Sequence, residues 1–301
     1  MKPVITGFFD HDQGHSLETQ IERTKKHRLA HLSLRLHEGE ALSELTDERI
    51  KALAQSVRQS KLKGAIIDPL IPAYDLHDEE NHAKALDQFE RALRVAVYLK
   101  ATHLYLKLPI VTDAVKEFEL IKERLIPFIR LAQKNRRTVI LEPYDNQRLS
   151  VYAYLIKKLK KNELTVLFDP VYVMMNKESE TTTYRLLKSR IAAVRAIDAD
   201  ASGSPRLLGY GKTGIVTIFK KLLRDDYRGF LLVDHAFFDD VFVEETEKPS
   251  FFQRIFSRNK KRKEHAKSDL AYRLFPDQED RDVTYDDVIE NQIEVIKRVF
   301  R

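Results

Sequence analysis

Four short apolar runs that each end in a charged residue constrain this chain more than any other feature: Thr138-Val-Ile-Leu-Glu142, Leu164-Thr-Val-Leu-Phe-Asp169, Ile191-Ala-Ala-Val-Arg195 and Gly229-Phe-Leu-Leu-Val-Asp234. Continuously apolar strands are buried on both faces, which points to a parallel sheet covered by helices. Pro143 and Pro170 follow Glu142 and Asp169 and stop those runs, because proline has no N–H to give to a ladder. The charged ends then fall together at the carboxyl edge of one sheet, where a polar site can form.

The rest of the chain repeats the alternation. Val4 to Asp10, His31 to Leu36, Gly64 to Asp68 and Thr102 to Lys107 read as four earlier strands. Segments of helical period separate all eight. Ser16 is a good N-cap for a helix from Leu17 to Arg28, and a second begins near Thr46-Asp47 with Ile50, Leu53, Ala54 and Val57 on one face. The longest helical signal, Glu79 to Lys100, spaces Ala85, Phe89, Ala92, Leu93, Ala96 and Leu99 by threes and fours. Ala114 to Asn135 is helical but contains Pro127, which is expected to kink or divide it. Further helices are expected over Leu149 to Lys161, Thr181 to Ser189, Ile215 to Leu223 and Val283 to Phe300. Eight parallel strands joined by helices close into a (β/α)8 barrel of about 250 residues. An open doubly wound sheet is the competitor, but no GxGxxG turn follows the first strand. The expectation is an α/β (β/α)8 TIM barrel, one domain over residues 1–301, with an insertion at about 244–282 between strand eight and the last helix.

Composition narrows the chemistry. With no cysteine there is no disulfide, thiolate zinc site or cysteine nucleophile, and with no signal-peptide pattern or bilayer-length apolar run the expected address is cytoplasmic. The formal charge of +6 is local: Arg254 to Lys267 holds seven basic residues against Glu264, so the remainder balances to zero. No specific nucleic-acid partner is expected.

Side-chain parity selects the mouth residues. If Glu142 points inward, so do Ile140 and Thr138; Asp169 shares a face with Leu167, Asp234 with Leu232, and Arg195 with Ala193. Lys107, Arg35 and Asp68 come from the earlier strands. Asp198 has the opposite parity to Arg195 unless the strand has already ended.

This run of eight units resembles the xylose isomerase-like barrel family, which includes sugar isomerases, sugar epimerases and endonuclease IV-type repair enzymes. Glu142 in Leu-Glu-Pro and Asp169 in Phe-Asp-Pro match the first two metal ligands of the sugar-converting members. Arg195-Ala-Ile-Asp198 stands where that family has H-x-K-D, Asp234 stands for its last glutamate, Tyr172 for the histidine of its D-x-x-H, and Leu208-Gly-Tyr-Gly resembles its G-x-G turn. The resemblance implies isomerisation or epimerisation of a small polar, sugar-like substrate or sugar phosphate. Its catalytic residues would be Glu142 and Asp234, Glu142 taking a proton next to a carbonyl and a metal stabilising the enediolate. Asp234 is one methylene shorter than glutamate, which weakens a two-base scheme.

Arg195 leaves two readings open. In one, Glu142, Asp169 and Asp234 hold Mg²⁺ or Mn²⁺ while Arg195 turns outward to bind substrate with Lys107, Arg35 and His235. In the other, Arg195 replaces the expected histidine ligand, the metal is absent, and the barrel is a metal-free ligand-binding or interaction protein. An endonuclease IV-like zinc cluster is not expected, since the strand ends carry no H-x-H spacing and only His37 and His235 fall near the mouth. In the insertion, Ser250 as a cap would align Phe251, Phe252, Ile255 and Phe256 beside the basic run, giving a lid, a weak contact for an anionic partner at 250–267, or a surface loop. A lid predicts that deleting 246–270 spares folding and weakens substrate binding.

Overall fold

A computed structural model of the chain describes residues 2–10, 16–144, 147–160, 164–242, 253–276 and 281–301, with side chains of His235, Asp240 and 253–263 excepted. Eight parallel strands run β1 Val4–Phe8, β2 His31–Leu34, β3 Lys63–Ile67, β4 His103–Lys107, β5 Thr138–Glu142, β6 Thr165–Phe168, β7 Ile191–Arg195 and β8 Phe230–Asp234. Backbone ladders join them in the order β1-β8-β7-β6-β5-β4-β3-β2. The remaining gap, between β1 and β2, is bridged by side chains: Thr6 Oγ1 lies 2.9 Å from Ser33 Oγ and 3.4 Å from the carbonyl of His31. The result is a nearly closed (β/α)8 TIM barrel.

Ten helices over the described residues cover it: α1 Leu17–Lys26, α2 Asp47–Gln59, α3 Glu79–Tyr98, α4 Phe118–Lys134, α5 Leu149–Lys158, α6 Pro170–Met175, α7 Glu180–Leu187, α8 Ile215–Arg224, α9 Gln253–Leu274 and α10 Tyr285–Val299, besides a single turn at Asp239–Phe242. Side-chain caps start several of them, as the sequence indicates: Ser16 accepts from Thr19 N, Thr46 from Arg49 N and Asp78 from Asn81 N, while Thr284 and Asp287 form a reciprocal capping box. The predicted faces of α2 and α3 are buried. Pro127 does not divide α4, which continues from Phe118 to Lys134. No described helix is long and apolar enough to cross a membrane.

Two apolar layers position the site. Phe8, Ala65, Ile66, Tyr105, Ile140, Leu167, Ala193 and Leu232 fill the barrel interior, drawn from every strand but β2. A larger cluster lies between strands and helices. Because side chains alternate along a strand, inward residues recur every second position, and the next inward position above this layer is Asp10, Asp68, Lys107, Glu142, Asp169, Arg195 or Asp234. Helix α9 lies in the insertion, and its C-terminal half is anchored: Ala266 and Leu270 are buried in the outer core, and Arg206 on the β7–α8 connection lies 3.7 Å from Asp269. The proposed Ser250 cap and the Phe251, Phe252, Ile255 and Phe256 face lie outside the described residues.

Candidate functional site

The strand ends form one ion-pair network. Arg195 Nη2 donates to Glu142 Oε1 at 2.8 Å and Nη1 to Asp169 Oδ2 at 2.6 Å, and its Nε stands 3.8 Å from Asp234 Oδ2. Arg35 grips Asp10 with two bonds of 2.7 Å and reaches Asp234 Oδ1 at 3.1 Å and Oδ2 at 3.4 Å. Arg195 therefore turns inward onto the carboxylates, not outward toward substrate. Both guanidinium side chains are largely covered, at 17% and 13% exposure. Burial opposes their charge, but Asp169, Glu142 and Asp234 around Arg195, and Asp234, Asp10 and Asp68 around Arg35, hold both fully protonated.

The carboxylates differ in what they have left to offer. Asp169 Oδ1 caps α6 by accepting from the N–H groups of Val171 and Tyr172, both at 2.9 Å, so that Pro170 and the cap start this short helix while Oδ2 takes Arg195. Asp234 accepts on both oxygens from Arg35 and also from Ala236 N. Burial would raise its pKa, but Arg35 and Arg195 hold it below the usual carboxylate value. Glu142 keeps one oxygen open: among the described residues Oε2 accepts no hydrogen bond, and Lys107 Nζ stands 3.9 Å away with its side chain 33% exposed. Asp68 is the opposite case. Burial, and then the Glu142 carboxylate, push its pKa up to about 7, against Arg35, Lys107 and a bond from Leu70 N.

Two buried polar atoms at the same place have no hydrogen-bond partner, Arg195 Nε and the Tyr105 hydroxyl. Burial raises the Tyr105 pKa well above the ordinary phenol value, with Arg195 opposing. Sequence reasoning placed neither Tyr105 nor Asp10 in the site, although each has inward parity, Tyr105 two positions before Lys107 and Asp10 two after Phe8. The side chain of His235 lies outside the described residues. His37 sits in the two-residue hairpin Leu36–His37/Glu40–Ala41, its Nδ1 buried and unpartnered and its pKa lowered by burial.

Asp198 is a loop organiser. Strand β7 ends at Arg195, and the Asp198 carboxylate accepts from the backbones of Gly209, Gly211 and Thr213 and from the Thr213 hydroxyl. A Cβ on Gly211 would lie 2.0 Å from Asp198 Oδ1, so this G-x-G turn needs its second glycine for close approach. Tyr172, at the family's histidine position, instead donates to the Gln147 carbonyl beneath the mouth.

Glu142, Asp169 and Asp234 as they stand do not fit a divalent metal. A metal needs several lone pairs aimed at one point, and a guanidinium with no lone pair occupies that point. Among the described residues, no group of three or more His, Asp or Glu is arranged to hold an ion.

In fold the chain is similar to D-allulose 3-epimerase from Methylomonas sp. (TM-score 0.66, 14% identity, 99% of this chain and 98% of that one covered). It is equally similar to D-psicose 3-epimerase from Clostridium cellulolyticum H10 (0.66, 12%, 100% of each). An AP endonuclease of family 2 from Brucella melitensis also matches (0.59, 13%, 77% and 92%). No curated protein sequence matches it. At these identities the likeness establishes the barrel alone, but the sequence profile of the xylose isomerase-like TIM barrel family matches residues 28–247. By that match over most of its length, the chain belongs to the xylose isomerase-like TIM barrel family.

Proposed function

We propose that the barrel mouth binds a small, uncharged, sugar-like molecule and isomerises or epimerises it by proton transfer next to a carbonyl. The observation that carries this reading is the open oxygen of Glu142 beside Lys107, at the carboxyl edge where barrels of this kind keep their chemistry. Glu142 Oε2 takes the proton from the carbon next to the carbonyl, Lys107 donates to the enediolate oxygen, and Asp68 returns a proton. A carboxyl whose pKa is about 7 both gives and accepts a proton near neutrality, which suits Asp68 to this role better than Asp234, whose oxygens already accept from Arg35. The network also favours an uncharged substrate over a sugar phosphate: even with Asp68 protonated, four strand-end carboxylates (Asp10, Glu142, Asp169, Asp234) face three cations (Arg35, Lys107, Arg195), a formal charge of −1. The epimerases of similar fold, named for one uncharged ketohexose (D-psicose, also called D-allulose), support that class.

A panel of free ketoses and aldoses incubated in D₂O tests this. Deuterium should enter at the carbon next to the carbonyl, and Glu142→Gln should slow its entry by roughly 10²- to 10⁴-fold. Sugars that shift the melting temperature but never exchange would instead favour a binding protein, the reading supported by the ion pairs that clamp Asp169 and Asp234.

A further inference from the structure

We propose that Arg195 is the resident cation of this site, a guanidinium doing the charge-balancing work of a divalent metal, so that the barrel operates without one and lies one substitution away from binding one. The geometry is directional. Each of the three carboxylates at the strand ends β5, β6 and β8 faces a different nitrogen of one guanidinium, at 2.8, 2.6 and 3.8 Å. Three carboxylates forced together in a largely covered mouth repel one another and need a cation between them. A planar guanidinium meets that need with fixed N–H directions and permanent charge.

Two consequences follow. An incoming Mn²⁺ or Mg²⁺ would meet a like charge at close range and oxygens already committed to N–H donors. Conversely, a histidine at position 195 removes the cation, leaves Glu142, Asp169 and Asp234 unbalanced, and supplies a lone pair from the same strand end. One imidazole nitrogen with three carboxylates is a donor set that suits Mn²⁺ or Co²⁺. Asp169 Oδ2 and Glu142 Oε1 are the oxygens released.

This proposal does not depend on the sugar reading, because it concerns what balances the carboxylates. The experiment measures metal in the full-length wild-type protein purified without chelator, then titrates Mn²⁺ into wild type, Arg195→His and the double variant Arg195→His/Glu142→Gln, following bound metal by equilibrium dialysis and melting temperature. Wild type should hold only substoichiometric metal and show no shift. Arg195→His should bind one equivalent and gain roughly 4 °C at about 100-fold excess over its Kd, and the double variant should lose most of that gain. One equivalent of divalent metal in wild type overturns the proposal, as does a folded Arg195→His that binds none. If Arg195→His does not fold without metal, it is refolded with Mn²⁺ present: recovery of a folded variant with one equivalent bound upholds the proposal, and failure to recover, or tight Mn²⁺ binding by wild type, overturns it. Absence of sugar exchange in wild type changes none of these readouts, so the two readings fail separately.

Discussion

At the scale of single residues, the site is a problem of charges that cannot all be accommodated alike. Glu142, Asp169 and Asp234 each face a guanidinium, of Arg195 or Arg35, and Asp68 is the group that gives way, its pKa lifted to about 7 by burial and by Glu142. The sign for stability follows directly. The folded state keeps on Asp68 a proton that the unfolded chain releases near pH 4, so this residue costs stability progressively from about pH 4 to 7 and at a constant level above. Asp68→Asn, whose amide oxygen can still accept from Leu70 N, should therefore be more stable than wild type at pH 8 by about 2–4 kcal/mol and nearly equal to it at pH 4. Urea melts at the two pH values check it, and equal differences at both would refute the assignment. Sequence parity was enough to bring Glu142, Asp169, Arg195 and Asp234 to one mouth. It offered Arg195 as one cation to neutralise them, but not Arg35 as the partner of Asp10 and Asp234, because Arg35 and Asp234 lie 199 positions apart. Tyr105 escaped because an apolar neighbour on each side makes it read as core.

At the scale of elements, the long helices and the strands were legible because their periods repeat enough times to register. Helix α6 was not: six residues are less than two turns, and its start depends on Asp169, whose carboxylate looked like a ligand and serves partly as a cap. The two-residue hairpins at Leu36–Ala41 and Asp198–Arg206 are likewise too short for any pattern. A lid over 246–270 could be deleted without loss of folding, but that cut would remove Ala266 and Leu270 from the outer core. Leu270→Ala, at a fully buried position, should cost about 2–5 kcal/mol in denaturant unfolding. A change under half a kilocalorie would mean that the helix does not pack in solution as described. Arg273 above the Tyr210 ring, 4.4 Å from its centre, ties the same helix to the glycine turn after β7, so its loss should also disturb that turn.

At the scale of the whole molecule, the barrel is a ring with one seam. Seven of its eight strand junctions are backbone ladders, and the eighth, β1 against β2, is held below by Thr6 and Ser33 and above by the paired bonds of Arg35 to Asp10. Side-chain bonds break singly, whereas a ladder resists as a unit, so Val4–Phe8 and His31–Leu34 should exchange their amide hydrogens sooner than the strands opposite. Arg35→Met should speed that exchange at the seam by about tenfold or more while leaving β4 and β5 protected, as hydrogen-exchange mass spectrometry would read. The upper clasp is also part of the charged mouth. A ligand that drew Arg35 away from Asp10 would loosen the joint in the ring, and one that held Arg35 in place would tighten it. Occupancy at the top of this barrel is thereby written into how readily its wall breathes.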